Sequence, residues 1–208
     1  MPHEPLHVAV LIGSGRKGRS GATVARWFTE QARRRGDIGV DLVDLADYPL
    51  PGEPVPQPSP ETELLLHDLS PRLTKADMFV IITPEYNHSF PATLKAAIDW
   101  HDREWQAKPV GFVSYGGRSG GLRAVEQLRQ VFPELHAVTV RDTVSFHGVW
   151  DHFDTDGNPR DPSACNAAAH TMLDQLAWWG NVLREGRAAH PYHHGTQHQL
   201  ATTSAGAS

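Results

Sequence analysis

Short apolar runs alternate with segments of helical periodicity along most of the chain. The strands predicted from the apolar runs are 6–12, 39–45, 77–83, 108–115 and 137–140. The helices predicted from apolar residues three or four positions apart are 22–35, 61–75, 91–100, 122–131 and 164–184. Strands and helices that alternate in this order predict an α/β fold of three layers, with a parallel sheet covered by helices on both faces.

Two segments depart from this alternation. Residues 48–60 contain six prolines, which are incompatible with regular structure and predict an exposed loop. Residues 187–208 are small, polar and rich in histidine, and we expect them to form a flexible tail. The chain is therefore predicted to consist of one domain over residues 1–186 and a His-rich C-terminal tail over residues 187–208.

Composition and charge narrow the classes of function open to the 208 residues. Hydrophobic residues make up 39%, enough for a packed core, and the net charge of −5 provides no basic excess for nucleic acid. No apolar run approaches the roughly 20 residues that span a bilayer, and the first seven residues lack the features of a signal peptide. Cys165 is the only cysteine, which excludes an intramolecular disulfide and fits a reducing compartment. We expect a cytoplasmic protein that binds neither nucleic acid nor membranes.

Three unusual loops each follow a predicted strand. They span residues 13–21, 84–90 and 116–121. Ligands of open α/β sheets bind beyond the carboxyl ends of the strands. We therefore expect the three loops to lie together and to form one binding site.

The first of these loops is rich in glycine and leads into a predicted helix, an arrangement that favours phosphate. Ser14 and Ser20 add hydroxyl donors, while Arg16 and Arg19 add positive charge and forked hydrogen bonds.

The same loop also matches a dinucleotide-binding pattern. Gly13, Gly15 and Gly18 spell GxGxxG, and Asp41 and Asp44 lie where a ribose-binding acid is expected. The loop alone therefore leaves three alternatives open: the phosphate of a mononucleotide, a dinucleotide, or a tight turn that serves only packing.

The second loop runs from Pro84 to Pro91 and reads Pro-Glu-Tyr-Asn-His-Ser-Phe-Pro. The two prolines stiffen it, and Tyr86 and Asn87 supply the aromatic face and polar edge that a planar heterocycle requires. His88 fits a structural hydrogen bond as well as a functional role, and the neighbouring phenylalanine fits core packing. This loop favours a flavin ring over a dinucleotide.

The third loop is part of the segment Ser-Tyr-Gly-Gly-Arg-Ser-Gly-Gly from Ser114 to Gly121. Glycines let the main chain come very close to a ligand because they carry no side chain. A simple turn between a strand and a helix does not need four glycines, so we expect ligand contact here.

With these motifs the chain resembles the NADPH-dependent FMN reductase family of flavodoxin-like proteins. The resemblance rests on Gly-Ser-x-Arg at 13–16, Thr-Pro-Glu-Tyr-Asn-His-Ser-Phe-Pro-Ala at 83–92 and Leu-Lys-x-Ala-Ile-Asp-Trp at 94–100. Glu-Trp at 104–105, Lys-Pro at 108–109 and Ser-Tyr-Gly-Gly at 114–117 continue the match, which covers about residues 6–185. It implies a doubly wound sheet in the strand order 2-1-3-4-5.

The resemblance also implies which residues bind the cofactor FMN. The residues expected at the phosphate are Ser14 and Arg16, with help from Arg19 and Ser20. Those expected around the isoalloxazine ring and the ribityl chain are Pro84, Glu85, Tyr86, Asn87, Ser114, Gly116 and Gly117. The residues expected to contact the substrate are Tyr86, Asn87 and Arg118. Many relatives have Ser and Asn where this chain has Arg19 and Gly21, which leaves open what these two residues and Ser20 each do.

By the same resemblance the chain is an enzyme in which NADPH or NADH delivers hydride to flavin N5. The flavin then passes electrons to a small acceptor such as a flavin or a quinone. Because the cofactor carries the chemistry, we expect neither a catalytic side chain nor a metal ligand. Relatives are commonly dimers, so a homodimer or homotetramer is expected, with the stretch 100–105 as a candidate interface.

Two alternatives remain. One is a flavin-binding electron carrier or regulatory module without turnover of its own. The other is an NAD(P)-binding Rossmann dehydrogenase, which would leave the second loop unexplained.

Overall fold

A computed structural model describes residues 4–192, which contain a single five-stranded sheet. The strands are β1 (Leu6–Ile12), β2 (Ile38–Asp44), β3 (Met78–Pro84), β4 (Pro109–Gly116) and β5 (Val138–His147). All neighbouring strands are parallel, and they are arranged in the order β2-β1-β3-β4-β5. The predicted fold class and strand order are confirmed.

Six α-helices connect or follow these strands in the described part of the chain. They are α1 (Gly21–Arg34), α2 (Pro60–Lys75), α3 (Ala92–Asp99), α4 (Leu122–Glu134), α5 (Val149–His152) and α6 (Pro162–Ala189). Helix α2 begins where the proline-rich segment ends, because Ser59 accepts a hydrogen bond from the Thr62 N–H and Pro60 takes the first helical position. None of the described helices is long and apolar enough to cross a membrane.

The sheet separates two hydrophobic cores, because successive side chains of a strand face opposite sides. Val8 and Val10 of β1 belong to the core that contains α1 and α6, whereas Ala9 and Leu11 belong to the core that contains α2, α3 and α4. Strand β3 is buried along its whole length. The three central strands are therefore accessible only at their ends.

Strand β5 is longer than the predicted 137–140. Its pairing with β4 shifts register between Val110 and Phe112, and the strand then continues to His147. The polar pair Arg141 and Asp142 lies at this irregularity. Because these two residues end the apolar pattern in the sequence, that pattern does not predict the second half of the strand.

The last helix is also longer than predicted, and it includes residues 187–189 of the expected tail. Arg184 and Arg187 both form ion pairs with Asp77 at the start of β3, which holds this end of α6 against the sheet. Tyr192 Oη lies 2.7 Å from His136 Nδ1. The remainder of the predicted flexible tail, residues 193–208, lies outside the described residues.

A buried lysine lies at the edge of the sheet where the strands begin. Lys108 Nζ donates to the main-chain oxygens of Leu73 and Thr74, both at 2.9 Å, in the last turn of α2. The Nζ also lies 5.3 Å from the centre of the Phe79 ring. Burial, together with the charge of Arg187, lowers the pKa of Lys108 to about 7, against the opposing effect of nearby carboxylates.

This lowered pKa predicts a pH-dependent stability. At pH values between the folded pKa of about 7 and the ordinary pKa of 10.5, Lys108 is protonated in the unfolded chain and neutral in the folded protein. The free energy of unfolding therefore rises with pH across this window, by at most about 1.4 kcal/mol per pH unit. Urea unfolding should show that the advantage of wild type over Lys108→Met grows as the pH increases.

The matched control is Lys75→Met, because Lys75 is exposed near the same end of α2. A difference between wild type and Lys108→Met that stays constant over this pH range would contradict the assignment.

Candidate functional site

Three loops lie at the carboxyl edge of the sheet and contact one another. We call residues 13–20 the first loop, 85–91 the second loop and 117–121 the third loop. Ser14 Oγ and Tyr86 Oη are 2.6 Å apart and join the first loop to the second. Ser119 Oγ donates to Glu85 at 2.6 Å and joins the second loop to the third. The predicted convergence of the loops is therefore present as direct hydrogen bonds.

The first loop ends at an uncapped helix N-terminus. Ser20 precedes α1, but its side chain accepts no hydrogen bond from the helix, and the first turn contains no acidic residue. No group in the described part of the chain accepts from the N–H of Ala22 or Thr23. Free N–H groups and the helix dipole make this end of α1 favourable for a phosphate.

The two arginines of the first loop have different surroundings. Arg16 is exposed, and its side chain forms no ion pair with any residue that the structure describes. The Arg19 guanidinium forms an ion pair with Asp44 and also donates to the Arg16 main-chain oxygen at 3.3 Å. Arg16 is therefore open to a ligand, whereas Arg19 is engaged in holding the loop against the end of β2.

Gly21, the first residue of α1, has no room for a side chain. A Cβ atom there would lie 2.7 Å from Tyr115 Oη and 3.0 Å from Ile12 Cγ2. The Tyr115 hydroxyl is buried, and burial raises its pKa above the usual value. Tyr115 of β4 thus fills the space beneath the first turn of α1, which accounts for the glycine at position 21.

The second loop is built around a tight turn. Tyr86 and Ser89 exchange two main-chain hydrogen bonds, of 2.8 and 3.0 Å. Asn87 and His88 between them have φ angles of +49° and +71°, as in a type I′ turn. Gln127 of α4 braces the turn, because it accepts from Ser89 Oγ at 2.6 Å and donates to the His88 oxygen at 2.9 Å.

Glu85 joins the second loop to the third loop and to α4. Its carboxylate accepts from Ser119 Oγ at 2.6 Å and from Arg123 Nη1 at 3.0 Å. Burial alone would raise the pKa of Glu85, but these two partners outweigh it and lower the pKa. The charged Glu85 therefore fixes the positions of two loops, a role that the sequence did not indicate.

The base of the third loop depends on buried polar contacts and on glycine. Ser114 Oγ and Ser145 Oγ both donate to the main-chain oxygen of Gly120, at 2.8 and 2.9 Å. Gly120 and Gly121 have φ angles of +58° and +84°. A Cβ on Gly120 would lie 2.4 Å from Ser145 Oγ, so only glycine fits here.

The outer part of the third loop presents bare main chain. Gly117 and Arg118 are exposed, and their N–H groups donate to no acceptor within residues 4–192. His147 Nδ1 lies 2.8 Å from the Arg118 oxygen, and the Gly148 N–H donates to the oxygens of Gly116 and Gly117 at 2.9 Å. The hydrogen bonds that hold the loop thus use its carbonyl groups, and its N–H groups stay available to a ligand.

Two further predicted site residues differ in their exposure to solvent. Pro84 is buried at the end of β3, and Asn87 is exposed at the tip of the second loop. Sequence reasoning missed Gln127, Arg123, Ser145 and His147, all of which position the loops. No local motif marks the first two, and the others lie in the part of β5 that was not predicted.

The two aspartates that suggested a dinucleotide are engaged elsewhere. Asp41 accepts from Arg72 Nε at 2.9 Å and from Arg72 Nη2 at 2.6 Å. Asp44 pairs with Arg19 and also accepts from the Ala46 N–H at 3.0 Å. Neither carboxylate is available for a ribose, and the strand order is the flavodoxin-like one, so the geometry disfavours a Rossmann dehydrogenase.

The sequence model of the NADPH-dependent FMN reductases matches residues 6–151 of this chain. The chain belongs to the NADPH-dependent FMN reductase family. It is 37% identical over 157 residues to an NAD(P)H-dependent FMN reductase of Schizosaccharomyces pombe, a match that covers 69% of this chain and 78% of the relative. It is also 37% identical over 180 residues to the quinone reductase of Escherichia coli strain K12, a match that covers 83% of this chain and 90% of the relative.

Among solved structures, the chain is similar to FerB, a flavoenzyme NAD(P)H:(acceptor) oxidoreductase from Paracoccus denitrificans. The TM-score is 0.64 at 22% identity, and the superposition covers 85% of this chain and 98% of FerB. This likeness shows the flavodoxin-like fold.

The protein is therefore an FMN-dependent oxidoreductase that takes electrons from NAD(P)H, as the sequence resemblance implied. Its own residues fit this cofactor. The uncapped end of α1 and Arg16 suit a phosphate, and the bare main chain of the third loop suits the close approach of a flat ring.

The contact between Gly21 and Tyr115 predicts a paired effect on FMN affinity. Gly21→Ala should displace the first turn of α1 and weaken FMN binding by a factor on the order of 10. Tyr115→Phe removes the hydroxyl that the new methyl would strike, so the double variant should recover most of the affinity. The dissociation constant is measured by quenching of flavin fluorescence.

Gly52→Ala is the control, because a Cβ at Gly52 meets no atom within 4 Å. Wild-type affinity in the Gly21→Ala variant would show that the packing beneath α1 does not affect FMN binding.

Proposed function

We propose that the enzyme holds FMN across the three loops and reduces small planar acceptors, quinones or free flavins, with electrons from NADPH or NADH. The observation that carries the proposal is the direct bonding of the loops at one edge of the sheet. Ser14 contacts Tyr86 at 2.6 Å, and Ser119 contacts Glu85 at 2.6 Å. A site bonded in this way is preorganised to bind one extended ligand.

In this proposal the first loop holds the phosphate. The N–H groups of Ala22 and Thr23, the Ser20 hydroxyl and the Arg16 guanidinium surround the N-terminus of α1 and supply donors and positive charge. Ser14 is buried, and its hydroxyl accepts from the Arg16 N–H at 3.3 Å. Ser14 therefore shapes the loop, and Arg19 supports it through its bond to the Arg16 oxygen.

The ring would lie between the second and third loops. Tyr86 and Asn87 face it from one side, and the main chain of Gly116 and Gly117 approaches it from the other. Bound FMN supplies the two-electron redox chemistry. The unbonded N–H groups of these loops are preorganised donors for negative charge that develops during reduction. Pro84, Glu85 and Ser114 keep both loops in place.

The exposed rim of the site would contact the nicotinamide and then the acceptor. We assign this contact to the side chains of Tyr86, Asn87 and Arg118. The E. coli relative, which is named a quinone reductase, supports a quinone as acceptor, and the S. pombe relative, which is named an FMN reductase, supports a flavin.

A flavin spectrum and turnover test this function. The purified protein, loaded with FMN, should be yellow, should bleach anaerobically with NADPH and should regain its colour when menadione or free FMN is added. A colourless protein that FMN cannot reconstitute would overturn the proposal. Bleaching that no acceptor reverses would favour the electron-carrier alternative.

We also propose that the enzyme is a homodimer or homotetramer and works in the cytoplasm. The family resemblance supports this assembly, because relatives are commonly dimers. Trp105, expected as an interface residue, is fully buried against Phe79 and Phe132 and belongs to the core. Light scattering should give a multiple of the 22.9 kDa chain mass.

The proposed phosphate site predicts that Arg16→Gln distinguishes FMN from riboflavin. A charged hydrogen bond to a phosphate contributes about 1.5–3 kcal/mol, so the affinity for FMN should fall by a factor on the order of 10 to 100. The affinity for riboflavin, which lacks the phosphate, should change little. Flavin fluorescence titrations measure both constants.

Lys17→Gln is the control, because Lys17 is an exposed cation next to Arg16 in the same loop. An equal loss of affinity for FMN and riboflavin in Arg16→Gln would place the phosphate elsewhere.

A further inference from the structure

Trp150 is a large aromatic side chain that is exposed beside the site. It is 67% exposed, whereas Val149 before it and Phe153 after it are buried in the core shared by α1 and α6. The main chain on both sides of Trp150 is therefore fixed by packing, while the indole ring is left largely in solvent.

Helix α5, which carries Trp150, is tied directly to the third loop. The Gly148 N–H, just before the helix, donates to the oxygens of Gly116 and Gly117, both at 2.9 Å. At the other end of the helix, His152 Nε2 lies 2.9 Å from the His147 oxygen. Any ligand on the third loop therefore lies next to a rigidly mounted α5.

One edge of the indole ring lies close to Gly117. A Cβ atom on Gly117 would lie 3.7 Å from Trp150 Cη2, an ordinary van der Waals distance. Because Gly117 has no side chain, nothing on this residue separates the edge of the ring from the main chain that the proposed function assigns to the flavin. Trp150 thus forms a flat apolar wall at the rim of the site.

Trp178 shows that exposure of an indole does not by itself create such a wall. It is 60% exposed, but it lies on α6 two residues before Gly180, which packs near Leu6 and Met78 where β1 and β3 begin. Trp178 therefore lies near the opposite edge of the sheet from the three loops. Trp178 provides an internal control of similar exposure.

We propose that Trp150 is a specificity-determining residue that binds planar aromatic acceptors, quinones above all, by stacking against its indole face. The inference rests on the proposed function, because it takes the reactive ring to lie on the third loop. An indole offers a rigid aromatic surface with few rotatable bonds, so it favours flat ring systems at low cost in conformational entropy. An inorganic oxidant without a ring gains nothing from it.

The first test compares two acceptors in FMN-loaded enzyme at saturating NADPH. In Trp150→Ala, the KM for menadione should rise about tenfold, the effect expected when one aromatic stacking contact is lost. The rate with ferricyanide, which has no planar ring, should stay at the wild-type value. Trp150→Phe should lie between the two, and Trp178→Ala should match wild type with both acceptors.

The second test needs no turnover. Oxidative footprinting of tryptophan, read by mass spectrometry, is carried out on the oxidised protein with and without menadione and in the absence of NADPH. Menadione should protect Trp150 and leave Trp178 unprotected. Equal oxidation of Trp150 with and without menadione would overturn the inference, as would an unchanged KM for menadione in Trp150→Ala.

These results separate the inference from the function on which it rests. A protein that binds no FMN, or cannot reduce ferricyanide with NADPH, would overturn the proposed function, and the footprint would still decide whether Trp150 contacts a quinone. Normal FMN binding and ferricyanide reduction, together with an unaffected menadione KM in Trp150→Ala, would overturn only the role of Trp150.

Discussion

Burial of the central strands on both faces is the constraint on which the rest of this structure depends. Strand β3 has no exposed residue, and β1 and β4 are nearly as enclosed. Such strands are poor places for polar functional side chains along their length, because each polar side chain there would need a buried hydrogen-bond partner. Chemistry is therefore restricted to the strand ends, and parallel strands bring all their carboxyl ends to one edge. The three loops meet for this reason.

Loops gathered at a sheet edge still need to be held in place, because little of them packs in a core. Here the bracing comes from polar side chains with satisfied hydrogen bonds. Glu85 joins two loops, and Ser114 and Gln127 each hold a loop by its main-chain oxygens. The bonds from Ser114 and Gln127 use carbonyl groups of the loops, whereas the N–H groups of Gly117 and Arg118 have no acceptor among the described residues. The same bracing that rigidifies the site therefore gives it an excess of hydrogen-bond donors, which suits an anionic, electron-accepting cofactor.

The sequence predicts those features of the fold that depend on local pattern. Strands β1, β3 and β4 are continuous apolar runs, and the loops after them stand out through glycine, proline and aromatic residues. Strand β5 was predicted only in part, because an edge strand has one paired neighbour and tolerates the irregularity at Arg141 and Asp142. The positioning residues were missed for a different reason. Gln127 lies 38 residues after Ser89 and acquires its role only through tertiary contact.

Gly21 shows how a residue next to the first loop depends on a residue far along the chain. The sequence shows a glycine at this position, but it does not show that Tyr115, on another strand, occupies the space beneath it. The two positions are linked by a close contact, because a side chain at Gly21 would clash with the Tyr115 hydroxyl. In the folded protein the absence of a side chain at Gly21 leaves room for Tyr115 to pack beneath the first turn of α1.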